Sequence, residues 1–115
     1  MTDKRIDHFK TYREESSASS NTFRDETAPL LAESLALIHL LRSNMQEPVN
    51  QASLFDNCLI LRGLAQWHDE EDIFCLLQNI NRLLEPVAYQ KMPLDNEALD
   101  LIDAGFRQID SAVAQ

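Results

Sequence analysis

From Phe23 to Val113 the apolar residues recur every three or four positions, and no stretch alternates apolar with polar over the length of a strand. A helix places residues i, i+3, i+4 and i+7 on one face, whereas a half-buried strand needs a period of two. The pattern therefore admits helices and leaves a sheet nothing to be built from.

Four segments carry the repeat. The first is expected at 25–45, with Asp25, Glu26 and Pro29 as first-turn residues and Leu30, Leu31, Leu35, Leu37, Ile38, Leu41 and Met45 as its stripe. Pro48 is read as its stop. The second is expected at 49–67, with Leu54, Cys58, Leu61 and Ala65 forming the core line. Asp69, followed by the acidic Asp72 three residues on, is read as the N-cap of a third helix that opens near Glu70 and carries Ile73, Leu76, Leu77, Ile80, Leu83 and Leu84. Pro86 and Pro93 are expected to bracket an irregular link. Asp95 then starts a fourth helix whose stripe is Ala98, Ile102, Gly105 or Phe106, Ile109 and Val113.

Single-striped helices joined by short links bury their faces only against one another, so residues 23–115 are expected to form an all-α, antiparallel up-down four-helix bundle. Residues 1–22 differ in character. Ile6, Phe9 and Arg13 have amphipathic spacing, but Ser-Ser-Ala-Ser-Ser-Asn at 16–21 offers nothing large to pack, and the segment is read as a flexible N-terminal arm and linker. Two readings stay open for it, a plain terminus and a peptide that docks on a partner or on the domain itself.

With 115 residues, 44% of them apolar, the chain is one globular domain. A formal charge of −9 opposes nucleic-acid phosphates and anionic membranes. No window approaches the ~20 apolar residues of a spanning helix, and the charged N-terminus lacks the features of a signal peptide, so a cytoplasmic location is expected. Cys58 and Cys75 fall in apolar stripes at no metal-like spacing and are read as buried thiols. No nucleophile elbow, phosphate loop, metal motif or cofactor site is present, and the chain is expected not to be an enzyme.

One short motif stands out in the second helix, Leu59-Ile60-Leu61-Arg62-Gly63, with Phe55 eight residues before the glycine. In this frame, with the gap-free run from Gly63 to Ile73 and the segment Pro93–Ile102, residues 23–115 resemble the histidine phosphotransfer (HPt) domains of bacterial two-component systems, in particular those of chemotaxis-type kinases. The family carries His-x-Leu-Lys-Gly here. Leu61 and Gly63 match it, Arg62 stands for lysine, and Leu59 stands where the phospho-accepting histidine would be. Leucine has no nitrogen to accept a phosphoryl group.

What the resemblance implies is thus a degenerate, non-catalytic HPt-like module in phosphorelay signalling, which binds a response-regulator receiver, a histidine kinase or a scaffold, as a monomer or weak dimer. The expected contact face is Leu59, Ile60, Arg62, Gly63, Gln66 and Trp67, since Leu59 falls about 120° from the core line. Other readings stay open. Gly63 fits close helix packing as well as a partner's approach, and Leu59, Ile60 and Trp67 fit a core as well as an apolar patch. The chain also fits a generic acidic helical adaptor, or a true phosphotransfer protein using His39, since His39-Leu40-Leu41-Arg42-Ser43 repeats the spacing with serine for glycine. His68, at the turn after the second helix, is expected to bond the adjacent backbone or Asp69. His8 lies in the arm.

Overall fold

The computed structural model describes the backbone of residues 16–114 and the side chains of residues 22–114. Residues 1–15, with Ile6, His8, Phe9 and Arg13, lie outside the described residues. Four α-helices follow in order: α1 (Ser16–Ser43), α2 (Pro48–Trp67), α3 (Glu71–Ala88) and α4 (Asn96–Ala114). Each packs against the next and α1 closes on α4, while the diagonal pairs stay apart. The fold is the expected all-α four-helix bundle, and contacts at its two ends show the alternation of direction. At one end Phe23 of α1 meets His68 after α2, and Arg24 Nε donates to the Val113 carbonyl at 2.8 Å. At the other end Gln46 reads the Leu94 backbone on both sides, donating at 2.7 Å and accepting at 3.3 Å.

The core is the sum of the four stripes. Leu31, Leu37, Ile38 and Leu41 of α1, Leu54, Phe55, Cys58, Leu61 and Ala65 of α2, Ile73, Leu77, Ile80 and Leu84 of α3, and Leu99, Ile102, Phe106, Ile109 and Val113 of α4 are all buried. Fully burying one such side chain stabilises the fold by ~1.5–3 kcal/mol, so the helices depend on each other for most of their stability.

Several boundaries differ from the sequence reading, each for a physical reason. α1 begins at Ser16 rather than near Asp25, so residues 16–21 continue a helix where a linker was expected. The inward ridge of α1 runs through Phe23, Thr27, Leu31, Ser34, Ile38 and Leu41, and two of its members are hydroxyl residues that an apolar count passes over. Thr27 and Ser34 satisfy their buried hydroxyls by donating to the carbonyls of Phe23 and Leu30, each at 2.7 Å. Pro29 therefore lies inside α1, not in its first turn. The carbonyl it leaves without a donor belongs to Asp25, an exposed residue, where the lost bond costs less than it would in the core. Pro86 sits inside α3 by the same logic, opposite exposed Arg82, and the irregular link begins only after Ala88.

α1 ends at Ser43, before Met45, and Pro48 opens α2 instead of stopping α1, since an N1 proline loses no helical bond. Glu47 caps that end by accepting from the Asn50 amide at 2.7 Å. Asp69 is not an N-cap. It takes a left-handed conformation (φ 57°), and the amides of Asp69 and Glu70 return to the carbonyls of Gln66 and Ala65, closing α2 with a Schellman motif. Gln90 (φ 60°) repeats the device after α3, with Gln90 and Lys91 bonding back to Val87 and Pro86. Asp95 does cap α4 as expected, accepting from Ala98 at 2.7 Å. Cys58 is buried, but Cys75 is exposed on the outer side of α3, two residues from the buried Ile73 and Leu77 on either side.

Of the two glycines, Gly105 is the one that lets helices meet. A Cβ there would lie 2.8 Å from Ile80 Cδ1 and 3.0 Å from its Cγ1, across the α3–α4 contact. Gly105→Ala is expected to lose about 1 kcal/mol in urea denaturation, overpacking outweighing the helix-propensity gain of alanine. Ile80→Val removes Cδ1 but keeps a γ-carbon at 3.0 Å, and should shrink that loss; a loss of the same size in both backgrounds would contradict the close-approach account.

Candidate functional site

The stripe Leu54, Cys58, Leu61 and Ala65 sets the rotation of α2, since all four are buried. At 100° per residue, Gly63 then lies about 170° from the stripe, at the centre of the outer face. The two flanks are fixed by contacts to different neighbours. Phe55 packs edge-on against Tyr89, and Cys58 Sγ bonds the Leu77 carbonyl at 3.4 Å, which turns the Phe55 side toward α3. Asn57 Nδ2 donates to Ser34 Oγ at 3.4 Å, which turns the other side toward α1.

The expected face therefore divides around Gly63. Leu59, Arg62 and Gln66 follow Phe55 by helical turns on the α3 flank, and Ile60 and Trp67 lie on the α1 flank. Leu59 is half-buried and packs on the core, and Arg62 is half-buried. Ile60, at 51% exposure, Trp67, at 71%, and Gln66 are the exposed side chains of the set. Leu59 and Ile60 thus serve both purposes left open by the sequence, one leaning on the core and the other projecting from it.

Two features give this face chemical meaning. A Cβ on Gly63 would have no neighbour within 4 Å, so the close-packing reading of this glycine is set aside. A glycine inside a helix costs roughly 0.5–1 kcal/mol relative to alanine, and nothing among the described residues offsets that cost. Arg62 makes no hydrogen bond or ion pair among the described residues, although the chain carries nineteen acidic groups. Its charge reaches the Cys58 thiol and pulls its pKa down slightly, but burial dominates and pushes the thiol up to about 12, leaving it inert at neutral pH.

Sequence reasoning passed over Asn81. It is buried on α3, and its Oδ1 has no hydrogen-bond partner among the described residues. The antiparallel register set by Cys58 with Leu77 and Phe55 with Tyr89 brings it level with the Phe55–Leu59 turn of α2. The available signal was an amide within the apolar run Ile80-Asn81-Arg82-Leu83-Leu84.

The histidines are placed elsewhere. His39 is exposed on α1, and the arginine of its rival motif is already engaged, Arg42 pairing with Asp100 at 2.9 Å and Asp103 at 3.0 Å. Ser43 of that motif ends the helix. His68 does not bond Asp69. Its Nε2 lies 3.3 Å from Glu26 Oε2, and its ring rests on Phe23 with centroids 5.3 Å apart. No group of three or more His, Cys, Asp or Glu side chains among the described residues is arranged to hold a metal. No helix among them is long and apolar enough to cross a membrane.

No family model and no curated protein matches this sequence. Among solved structures, the fold is similar to that of the CheA phosphotransferase domain from Thermotoga maritima, with a TM-score of 0.79 over 84% of this chain and 92% of that one, at 21% sequence identity. The two chains share an architecture over that extent.

The open surroundings of Gly63 have a measurable consequence. Gly63→Ala is expected to raise the unfolding free energy by ~0.5–1 kcal/mol, opposite in sign to Gly105→Ala. A loss of stability in urea would mean that Gly63 has an internal packing role after all.

Proposed function

We propose that this chain is an HPt-like interaction module of two-component signalling, which binds a receiver or histidine-kinase domain through the outer face of α2 and carries no phosphate. The observation that carries the reading is Gly63, a helix-interior glycine that no contact among the described residues requires, at the centre of a face flanked by exposed apolar side chains and by Arg62, which has no hydrogen bond or ion pair among the described residues. A glycine so placed lets a partner's backbone approach closely. Ile60 and Trp67 supply the apolar area that interface cores use, and Arg62 supplies a cation for a partner's carboxylate.

In the family frame Leu59 occupies the reacting position. Its half-buried side chain offers a partner an apolar contact where an imidazole would have offered chemistry. The kinship of fold supports the choice of partner class, and the cytoplasmic setting of such partners is part of the proposal. A phosphotransfer role for His39 has less support, because the neighbouring cation is committed to Asp100 and Asp103.

Two experiments test the reading. Incubation with acetyl phosphate or a phosphorylated receiver is expected to leave no acid-labile phosphate on the chain; phosphohistidine at His39, detected by mass spectrometry in alkali, would replace this proposal with the phosphotransfer one. Titration calorimetry against receiver and histidine-kinase domains of the same organism is expected to show Leu59→Glu and Ile60→Glu each weakening binding by ~2 kcal/mol or more. Leu59→Glu also costs about 1 kcal/mol of stability through its half-buried packing, and exposed Ile60→Glu costs less. Parental affinity in both variants, each shown to be folded, would remove this face from the interaction.

A further inference from the structure

We propose that the groove between the outer ridges of α1 and α2 seats an amphipathic helix of a partner protein, one whose apolar stripe is flanked by lysine and arginine. This site lies beside the face proposed above and shares only Ile60 with it. The α1 ridge is Glu26, Glu33, Leu37 and Leu40, at helical spacing on the flank toward α2, since Glu26 meets His68 while Arg24 and Arg42 reach α4. The α2 ridge is Val49, Ser53, Asp56 and Ile60, on the flank that Asn57 turns toward α1. Asn57 beside Ser34 and His68 beside Phe23 set the antiparallel register. Leu40 thereby comes level with Val49 and Ser53, and Glu33 with Asp56 and Ile60.

Leu40 is 53% exposed, Val49 66% and Ile60 51%, so three large apolar side chains stand in water along ~16 Å of the two ridges. Buried Leu37 and half-buried Ser53 lie between them as a floor. An apolar strip about three turns long matches the i, i+4 and i+7 anchors by which an amphipathic helix lies in a groove. Charge selects the occupant. Glu33 and Asp56 are exposed and form no ion pair among the described residues, and Glu26 rims the end beside His68. No lysine or arginine lies on either ridge. The strip is thus apolar with edges of one sign, and a helix with cations beside its apolar stripe complements both properties. A second copy of this chain does not, because it brings the same carboxylates and a formal charge of −9 of its own.

The probe is a fluorescein-labelled helical peptide of about 18 residues, with leucine at i, i+3, i+4 and i+7 spacing and lysine elsewhere. It is titrated with the full 115-residue chain and followed by anisotropy. The neutral double change L40S/V49S is expected to weaken binding about ten-fold, and E33Q/D56N about three-fold at ~50 mM salt. The control M92S/L101S removes exposed apolar side chains elsewhere and should change binding by less than about two-fold. The same peptide with glutamate for lysine should bind at least about ten-fold more weakly. No binding by the parent, equal losses in L40S/V49S and the control, unchanged affinity in E33Q/D56N, or equal affinity for the glutamate peptide would overturn the proposal. Two further outcomes would give the groove to another occupant and overturn it as well. Concentration-dependent self-association that L40S/V49S abolishes would assign it to a second copy, and peptide binding seen only in F9A would assign it to the chain's own N-terminal residues.

Discussion

Everything about the outer face follows from the burial of Leu54, Cys58, Leu61 and Ala65 between the neighbouring helices. Truncating a fully buried leucine of this kind costs ~2–5 kcal/mol, a large share of the stability of a domain this size. The rotation of α2 about its axis is therefore held tightly. With that rotation held, Gly63 can point only outward, and Leu59 and Ile60 fall to either side of it. A rotation of α2 by one residue position would bury Arg62 and expose Cys58, each at a higher free energy.

Polar groups pin the ends of a bundle whose middle is held by apolar packing. Gln51 is almost fully buried, donates to the Met45 carbonyl at 2.6 Å and accepts from Gln90 at 3.1 Å, so one amide joins the α1–α2 link to the α3–α4 link. Gln46 and Leu94 reinforce the same end. At the opposite end Arg24 supplies a donor to Val113, one of the last carbonyls of α4, which have no intrahelical partner. Arg42 clips α1 to α4 along the side, its guanidinium held further in the charged form by hydrogen bonds to Asp103 and Asp100. These contacts set helix register, a task for which non-directional apolar burial is poorly suited.

Asn81 and Gly63 belong together in any account of function. One is a buried amide with an unsatisfied oxygen, and the other is a glycine with open space around it. Each costs stability and neither is repaid inside the bundle. Both lie on the α2–α3 half of the molecule. Local choices that disagree with the fold tend to collect where function constrains the sequence, and the face proposed for partner binding lies on the same half.

The four helices, most of the core and the Asp95 cap were legible because periodicity and capping are local, and the residues involved carry the signal themselves; Leu35, Met45 and Leu83 of the expected stripes are only half-buried, and buried Phe23, Val87 and Leu99 were not among them. The inward ridge of α1 was read only in part, since Thr27 and Ser34 are polar by composition and become core residues by bonding backward to the helix. Pro29 was read as a first-turn residue of α1, and Pro48 and Pro86 as boundaries, because the cost of a proline depends on its place in a helix and on whether the carbonyl it orphans is exposed. Asp69 looked like a cap from its spacing and proved to be the left-handed residue that ends α2. The sequence alone determined that these helices must share one core and that Leu59 cannot carry phosphate, for both follow from side-chain chemistry. Only the tertiary structure decided which glycine lets two helices meet, since whether a Cβ finds Ile80 or empty space depends on what the neighbouring helix puts there.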